Sequence, residues 1–103
     1  IEIKGVAHIT GGGLTENIPR ILPDNCSVKI KKDTWPKLGL FNVLQNLGNV
    51  DEDEMYRAFN MGIGMVFIVD KNSIINIRDT LESITQVYEI GEVIEGKNIV
   101  FYD

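Results

Sequence analysis

The stretch GVAHITGGGLTENIPR, residues 5–20, decides how the chain begins to fold. An apolar, β-compatible run leads into three consecutive glycines, Gly11 to Gly13, and a helix-start signal follows them. Glycine reaches positive φ at little cost and lets the backbone approach a ligand closely. A helix start adds unpaired N–H groups, which suit an anion such as phosphate. The alternative is that the glycines form only a tight connection, and the glycines alone do not separate the two.

Size and charge limit what this chain can be. Its 103 residues are 44% hydrophobic and 24% charged, which predicts one globular domain with a modest core. The net charge of −5 argues against a nucleic-acid partner, because such binding needs clustered Lys and Arg. The longest apolar run, residues 62–69, is too short to span a bilayer, and no basic leader opens the chain, so we expect no membrane partner. Cys26 is the single cysteine and cannot form an internal disulfide.

Hydrophobic periodicity predicts the elements of the first half. We expect a strand over 5–10, then a short helix over about 15–22 that Thr15 or Asn17 caps and Pro23 ends. Alternation predicts a half-solvated strand over 27–32. Trp35-Pro36 is expected to open an amphipathic helix with a C-terminal cap at Gly48. Its apolar face would comprise Leu40, Phe41, Leu44 and Leu47.

The second half begins with an acidic helix start. Asp51 and Glu54 have capping-box spacing, and a solvated first turn explains this acidic run better than a metal site does. The continuous apolar run Met65 to Val69 predicts a central strand covered on both faces. Ser73 is expected to cap a helix whose apolar residues are Ile74, Ile77, Leu81 and Ile84.

Two final strands, about 87–94 and 98–102, are expected to form a hairpin around Gly96-Lys97. The predicted order is β-α-β-α-α-β-α-β-β. This order indicates an α+β domain in which helices pack on a mixed β-sheet.

Several familiar motifs are missing from the sequence. The glycines are not a P-loop, because no Lys-Ser or Lys-Thr pair follows them. They are not a dinucleotide fingerprint, because Glu16 stands where the third glycine would be. No His/Cys cluster could bind zinc, and we predict no metal ligand in this chain. His8 is the only histidine, and its place three residues before the glycines makes it a candidate for more than a structural role.

Five segments resemble one known family in order along the chain. They are GVAHITGGGLTENIPR, Trp35-Pro36, FNVLQNLGNV, EMYRAFNMGIGMV and IGEV, which together reach from about residue 5 to 94. The chain thereby resembles the aminoimidazole ribonucleotide synthetase family, also called phosphoribosylformylglycinamidine cyclo-ligase. The combination of HITGGG…ENIPR with YRAFNMGIGM is specific, since relatives of the same architecture carry different residues at these places.

The resemblance implies a cytoplasmic, homodimeric enzyme of purine biosynthesis. Such an enzyme converts formylglycinamidine ribonucleotide and ATP, with magnesium, to aminoimidazole ribonucleotide, ADP and phosphate. The chain matches most of the C-terminal domain, as a single domain over residues 1–103. The N-terminal ATP-binding domain and the first helices of the C-terminal domain are absent, so ATP and Mg would be bound mainly elsewhere. We expect the 103 residues alone to be inactive.

The same resemblance supplies candidate site residues on one wall of the active-site groove. It implies a catalytic role for His8, which could hydrogen-bond the substrate or the transferring phosphoryl group. It assigns substrate or phosphate binding to Thr10, Gly11, Gly12, Gly13, Glu16, Asn17, Asn60, Gly62 and Gly64. The competing interpretation is a stand-alone α+β module that binds a small metabolite or regulates another protein without catalysis.

Overall fold

A computed structural model of the chain describes residues 2–103 and contains the nine elements in the predicted order. Three short 3₁₀ helices lie between them, at Pro19–Ile21, Lys32–Thr34 and Lys71–Ser73. The α+β class is confirmed. The elements are β1 Ile3–His8, α1 Gly13–Asn17, β2 Cys26–Ile30, α2 Gly39–Gly48, α3 Glu52–Ala58, β3 Met65–Val69, α4 Ile74–Leu81, β4 Gly91–Glu95 and β5 Val100–Tyr102.

The five strands form two sheets rather than one. Strands β1 and β3 pair antiparallel as a two-stranded ribbon. Strand β2 is the centre of a second sheet, antiparallel to β4 and parallel to β5. It is also more buried than a half-solvated strand, since Ser27, Val28 and Ile30 are all buried.

The predicted hairpin between the last two strands is therefore wrong. Strands β4 and β5 lie on opposite edges of β2, and the chain crosses over β2 between them. Backbone bonds fix this crossover: Gly96 N donates to Asn25 O (3.1 Å) and Asn98 N to Cys26 O (2.9 Å). A Gly-Lys turn signal depends only on neighbouring residues. The strand pairing is decided instead by these bonds, which join residues far apart in sequence.

Strand β3 differs from its prediction as a central strand. Only one face of the ribbon is covered by the described chain. Val6 lies opposite Phe67, and His8 lies opposite Met65, so these four side chains share a face. On that face Val6, Met65 and Phe67 are 45%, 51% and 37% exposed. The apolar run correctly predicted that β3 has apolar faces, but it did not show what covers them.

The first helix starts earlier and ends sooner than expected. Gly12 is its N-cap, so Thr15 and Asn17 lie inside the helix and do not cap it. Helix α1 ends at Asn17, and a 3₁₀ turn then begins with Pro19. Proline has no N–H to continue the α-helical bonding, and its fixed φ suits the start of a new turn.

Helix α2 begins at Gly39, beyond the Trp35-Pro36 pair that was expected to open it. Gly48 is its last residue, and Asn49 takes the left-handed cap position with φ of 51°. None of its residues is buried. Its apolar side is largely uncovered, with Leu40 58% and Leu47 82% exposed. The amphipathic pattern predicted the helix correctly, and the described chain leaves most of its apolar side uncovered.

The other two helices begin close to where the sequence placed them. Asp51 and Ser73 occupy the N-cap positions of α3 and α4, but neither side chain makes a capping bond. The Asp70 carboxylate instead accepts from Asn72 N (2.9 Å) and starts the 3₁₀ turn before α4. On α4 only Ile77 is buried, and Ile84 lies beyond the helix.

One hydrophobic core joins both sheets through α1 and α3. Its fully buried members include Leu14 and Ile18 after the glycines, Ile30 of β2 and Met55 of α3. Trp35 is also buried and packs with this group rather than starting a helix. Within residues 2–103, no helix is long and apolar enough to cross a membrane. The core therefore fixes the segment that follows β1, where the candidate site residues concentrate.

Candidate functional site

The glycine loop, defined here as residues 10–13, connects β1 to α1. Gly12 and Gly13 have φ of 99° and 61°, a left-handed backbone that side-chain-bearing residues rarely adopt. Gly13 N donates to Thr10 O (3.0 Å), which closes the loop into a turn. Gly12 and Gly13 are thus required by the turn itself, whereas Gly11 is exposed at its tip.

The buried side chain of Asn17 holds this loop from the inside. Its Nδ2 donates to the carbonyl oxygens of Thr10 (3.2 Å), Gly11 (3.4 Å) and Gly13 (2.8 Å). Its Oδ1 accepts from Thr10 Oγ1 (3.2 Å) and from Arg20 (3.2 Å). Asn17 is only 4% exposed. The structure therefore turns this candidate inward, toward the loop backbone.

Gly13 is the point where the loop meets helix α3. A Cβ at this position would overlap the carbonyl oxygens of Tyr56 and Phe59 at the end of α3. Only hydrogen atoms fit between the two backbones. This close approach places the start of α1 directly against the last turn of α3, and so beside the segment that follows α3.

That following segment is the Asn60 loop, residues 60–64. Asn60 Oδ1 accepts from Gly62 N (2.8 Å), and Ile63 N donates to Asn60 O (3.1 Å). Met61 and Gly62 have φ of 55° and 95°. The buried Trp35 indole donates to Met61 O (2.9 Å) and holds the loop on the core. Asn60 thus has a conformational role, which is common for Asn at such bends.

The structure brings the glycine loop and the Asn60 loop together from two sides. Ile9 N, just before the glycine loop, donates to Gly64 O (2.9 Å) at the end of the Asn60 loop. Gly13 contacts the Phe59 backbone just before the Asn60 loop. The nine candidate binding residues thus lie on two adjoining loops and on α1, and His8 lies at the end of the neighbouring strand. Thr10, Gly11, Glu16, Gly62 and Gly64 are exposed there.

Two charged side chains border the glycine loop. The Glu16 carboxylate lies against Gly12, where it occupies the space that a Cβ on Gly12 would take. Arg20 reaches back to Asn17 from the 3₁₀ turn. In the part of the chain that the structure describes, no group of three or more His, Cys, Asp or Glu side chains could hold a metal ion. An anion at this loop would meet backbone N–H groups first, with one charge of each sign nearby.

The whole chain, residues 1–103, matches the family described as AIR synthase related protein, C-terminal domain. The chain belongs to this family.

Curated relatives of the chain share a common name. A phosphoribosylformylglycinamidine cyclo-ligase of Acetivibrio thermocellus is 50% identical over 93% of this chain and 28% of its own length. Proteins of the same name from Staphylococcus epidermidis and Pseudothermotoga lettingae are 51% and 44% identical over 92% and 93% of the chain. The chain spans 28% and 29% of these two relatives. The family resemblance inferred from the residues is confirmed.

Within this AIR synthase related domain, a tyrosine cluster supports the glycine loop and was missed by sequence reasoning. Thr15 Oγ1 lies 2.8 Å from Tyr102 OH, which ties α1 to the last strand. The rings of Tyr56 and Tyr102 are 4.7 Å apart between centroids. No local pattern marks these residues, because Tyr102 reaches α1 only through the parallel pairing of β5 with β2.

Burial controls the titration of this cluster. Loss of solvation raises the pKa of Tyr56 to about 12, and the Glu52 carboxylate and Tyr102 add to the shift. Burial also raises the pKa of Tyr102, although its hydrogen bond to Thr15 opposes the change. Both phenols are therefore neutral at physiological pH and act as apolar surface with a polar end.

A first prediction concerns the contact of Gly13 with α3. Gly13→Ala should lower the free energy of unfolding by about 1–3 kcal/mol, because the new Cβ must push two backbone carbonyls aside. Gly11→Ala is the matched control: no atom lies within 4 Å of its Cβ position, so a change within about 0.5 kcal/mol is expected. Urea unfolding of both variants measures the difference. Equal stabilities would show that the two backbones are not held in contact.

A second prediction follows from the tyrosine cluster. The pKa of Tyr56 is raised on folding, so its stabilising effect is complete below about pH 10 and is lost as pH rises toward 12. Tyr56 should contribute a fall of about 2 kcal/mol in the free energy of unfolding across this range, to which Tyr102 adds, and Tyr56→Phe should remove the Tyr56 contribution. Tyr88→Phe, outside the cluster, serves as the control and should retain it. Urea unfolding at closely spaced alkaline pH values provides the test, and a wild-type slope in Tyr56→Phe would contradict it.

Proposed function

We propose that this chain is most of the C-terminal domain of a phosphoribosylformylglycinamidine cyclo-ligase of purine biosynthesis. The enzyme would convert formylglycinamidine ribonucleotide and ATP to aminoimidazole ribonucleotide, ADP and phosphate. The name shared by the relatives, at about half identity over nearly the whole chain, supports this proposal. Cytoplasmic location and a homodimer are proposed on the same basis.

The observation that carries the proposal is the meeting of the two loops. The glycine loop offers backbone donors at an exposed tip, and the Asn60 loop adjoins it through Gly64. We infer that these loops form one wall of the active-site groove and that the glycine loop binds a phosphate of the substrate or nucleotide. Converging backbone N–H groups can bind an anion without a basic patch. This suits a chain whose net charge is −5.

In this proposal His8 supports the chemistry at the edge of that wall. In the proposed reaction the formyl oxygen is phosphorylated, an internal nitrogen attacks the same carbon, and the oxygen leaves with the phosphate. His8 is exposed and lies two residues before the glycine loop. An imidazole can donate to developing charge or move a proton near neutral pH. In this proposal His8 would act on the phosphoryl group or on the leaving oxygen.

ATP and magnesium would be held mainly by residues outside this chain. Residues 2–103 contain no group of three or more potential metal ligands, and the glycine loop lacks the Lys-Ser/Thr pair of a P-loop. The part we assign to this chain is to bind phosphate and to position His8.

The full-length protein encoded by the gene should form aminoimidazole ribonucleotide from formylglycinamidine ribonucleotide and ATP. The 103-residue chain alone should form none, because it cannot position the phosphoryl donor. Product absorbance after derivatisation and ADP release measure both reactions. Turnover by the short chain would contradict the assignment of ATP binding elsewhere. Ligand binding without turnover by the full-length protein would favour the metabolite-binding module.

Substitution of His8 tests its role within this function. In the full-length protein His8→Ala should lower turnover on the order of 10²–10⁴-fold, the usual loss for an acid–base group. Because His8 is exposed, the free energy of unfolding should change by about 0.5 kcal/mol or less. Val6→Ala, on the same face of β1, is the control and should leave turnover unchanged. Normal turnover per folded His8→Ala molecule would exclude the catalytic role.

A further inference from the structure

The Asn17 side chain has no polar atom left for a ligand. Its Nδ2 donates to three carbonyls of residues 10, 11 and 13, and its Oδ1 accepts from Thr10 Oγ1 and Arg20. It is 96% buried among these partners. A residue so placed acts on a substrate only through the backbone that it holds.

The hydrogen bonds from Asn17 to the loop carbonyls fix the direction of the neighbouring N–H groups. In a planar trans peptide the C=O and N–H bonds point in opposite directions. Since the carbonyls of Thr10 and Gly11 point at Asn17, the N–H groups of Gly11 and Gly12 point away from it. Neither N–H has an acceptor among residues 2–103, and Gly11 is exposed. Asn17 thereby turns two neighbouring donors outward at the tip of the glycine loop.

We propose that Asn17 is a positioning residue that fixes the Gly11 and Gly12 N–H groups for binding the substrate's phosphate. The inference rests on the proposed function for the identity of that substrate. Donors that are already oriented need no reorganisation when the anion arrives. Without the Asn17 amide, the Gly11 carbonyl loses its partner and can turn toward solvent and present its oxygen to the phosphate, whereas the Thr10 carbonyl keeps its bond from Gly13 N. The loop would then repel the group that it should bind.

The chain contains a matched control for this proposal. Asn98 Nδ2 also donates to three backbone carbonyls, those of Pro19 (3.0 Å), Leu22 (3.3 Å) and Pro23 (3.5 Å). This second network holds the segment before β2 and does not include the glycine loop. Asn17→Asp and Asn98→Asp each replace an amide donor by a carboxylate of nearly the same shape. Both should destabilise the protein, but only one should disturb the phosphate site.

Steady-state kinetics of the two variants in the full-length protein separate these roles. Asn17→Asp should raise KM for formylglycinamidine ribonucleotide on the order of 10- to 100-fold, since misplaced binding groups cost that much. Asn98→Asp should leave KM for formylglycinamidine ribonucleotide within about twofold, which we take as the limit for an unchanged site. Urea unfolding measures how far each variant is destabilised. Equal KM changes in the two variants, or a normal KM in Asn17→Asp, would overturn the proposal.

A measurement on the unmodified protein keeps the proposal testable if Asn17→Asp does not fold. Full-length protein labelled with nitrogen-15 glycine is titrated with inorganic phosphate, and the Gly11 and Gly12 amides are assigned by their loss in single alanine variants. Both amide protons should move downfield, as expected for donation to an anion. Absence of any shift would overturn the proposal. If the phosphate shifts occur but no aminoimidazole ribonucleotide forms, the proposed function fails, while the assignment of the Gly11 and Gly12 amides as phosphate donors stands.

Discussion

The contact between the backbones of Gly13 and the end of α3 is the constraint on which the site depends. A glycine allows the first turn of α1 to lie against the carbonyls of Tyr56 and Phe59. The same contact places the glycine loop beside the Asn60 loop, because residues 60–64 leave α3 at that point. Leu14 of α1 and Met55 of α3 are both fully buried in the core, and their burial holds the two helices together. The close contact of Gly13 with the end of α3 thus places the two loops side by side.

Buried polar side chains select the backbone conformations of the two loops that packing brings together. An amide buried without partners costs about 1–3 kcal/mol, so the Asn17 side chain favours the loop conformation in which its donors and acceptor are all used. Trp35 acts in the same way on the Asn60 loop, where its indole N–H donates to Met61 O at 2.9 Å. Each loop therefore has one buried donor that selects its backbone conformation. A loop fixed in this way can present groups to a ligand without ordering at the moment of binding.

Local signals predicted much of this structure, and non-local contacts decided the rest. The order of nine elements and the α+β class follow from periodicity and from Gly and Pro signals, which depend on neighbouring residues only. The pairing of β4 and β5 with β2 could not be read this way, because bonds such as Asn98 N to Cys26 O join distant segments. The apolar residues of β3 and α2 indicated faces that pack, but nothing in the sequence shows which surface covers them. For the candidate site, the positions came from motif resemblance, whereas the inward direction of Asn17 needed the structure.

Glu16 completes the electrostatic argument about the glycine loop. Its carboxylate lies on Gly12 in a chain of net charge −5, so long-range attraction cannot bring an anion here. Under the proposed function, an anion here would be held by short-range donation from backbone N–H groups, whose partial charges are fixed in direction. A ligand that carries hydroxyl or amino groups beside its phosphate could donate to the Glu16 carboxylate in addition to accepting from the N–H groups, whereas a bare anion could use the N–H donors alone. The pairing of outward N–H donors with one acceptor would therefore favour a phosphorylated ligand that also carries hydrogen-bond donors over inorganic phosphate, which can use only the N–H donors.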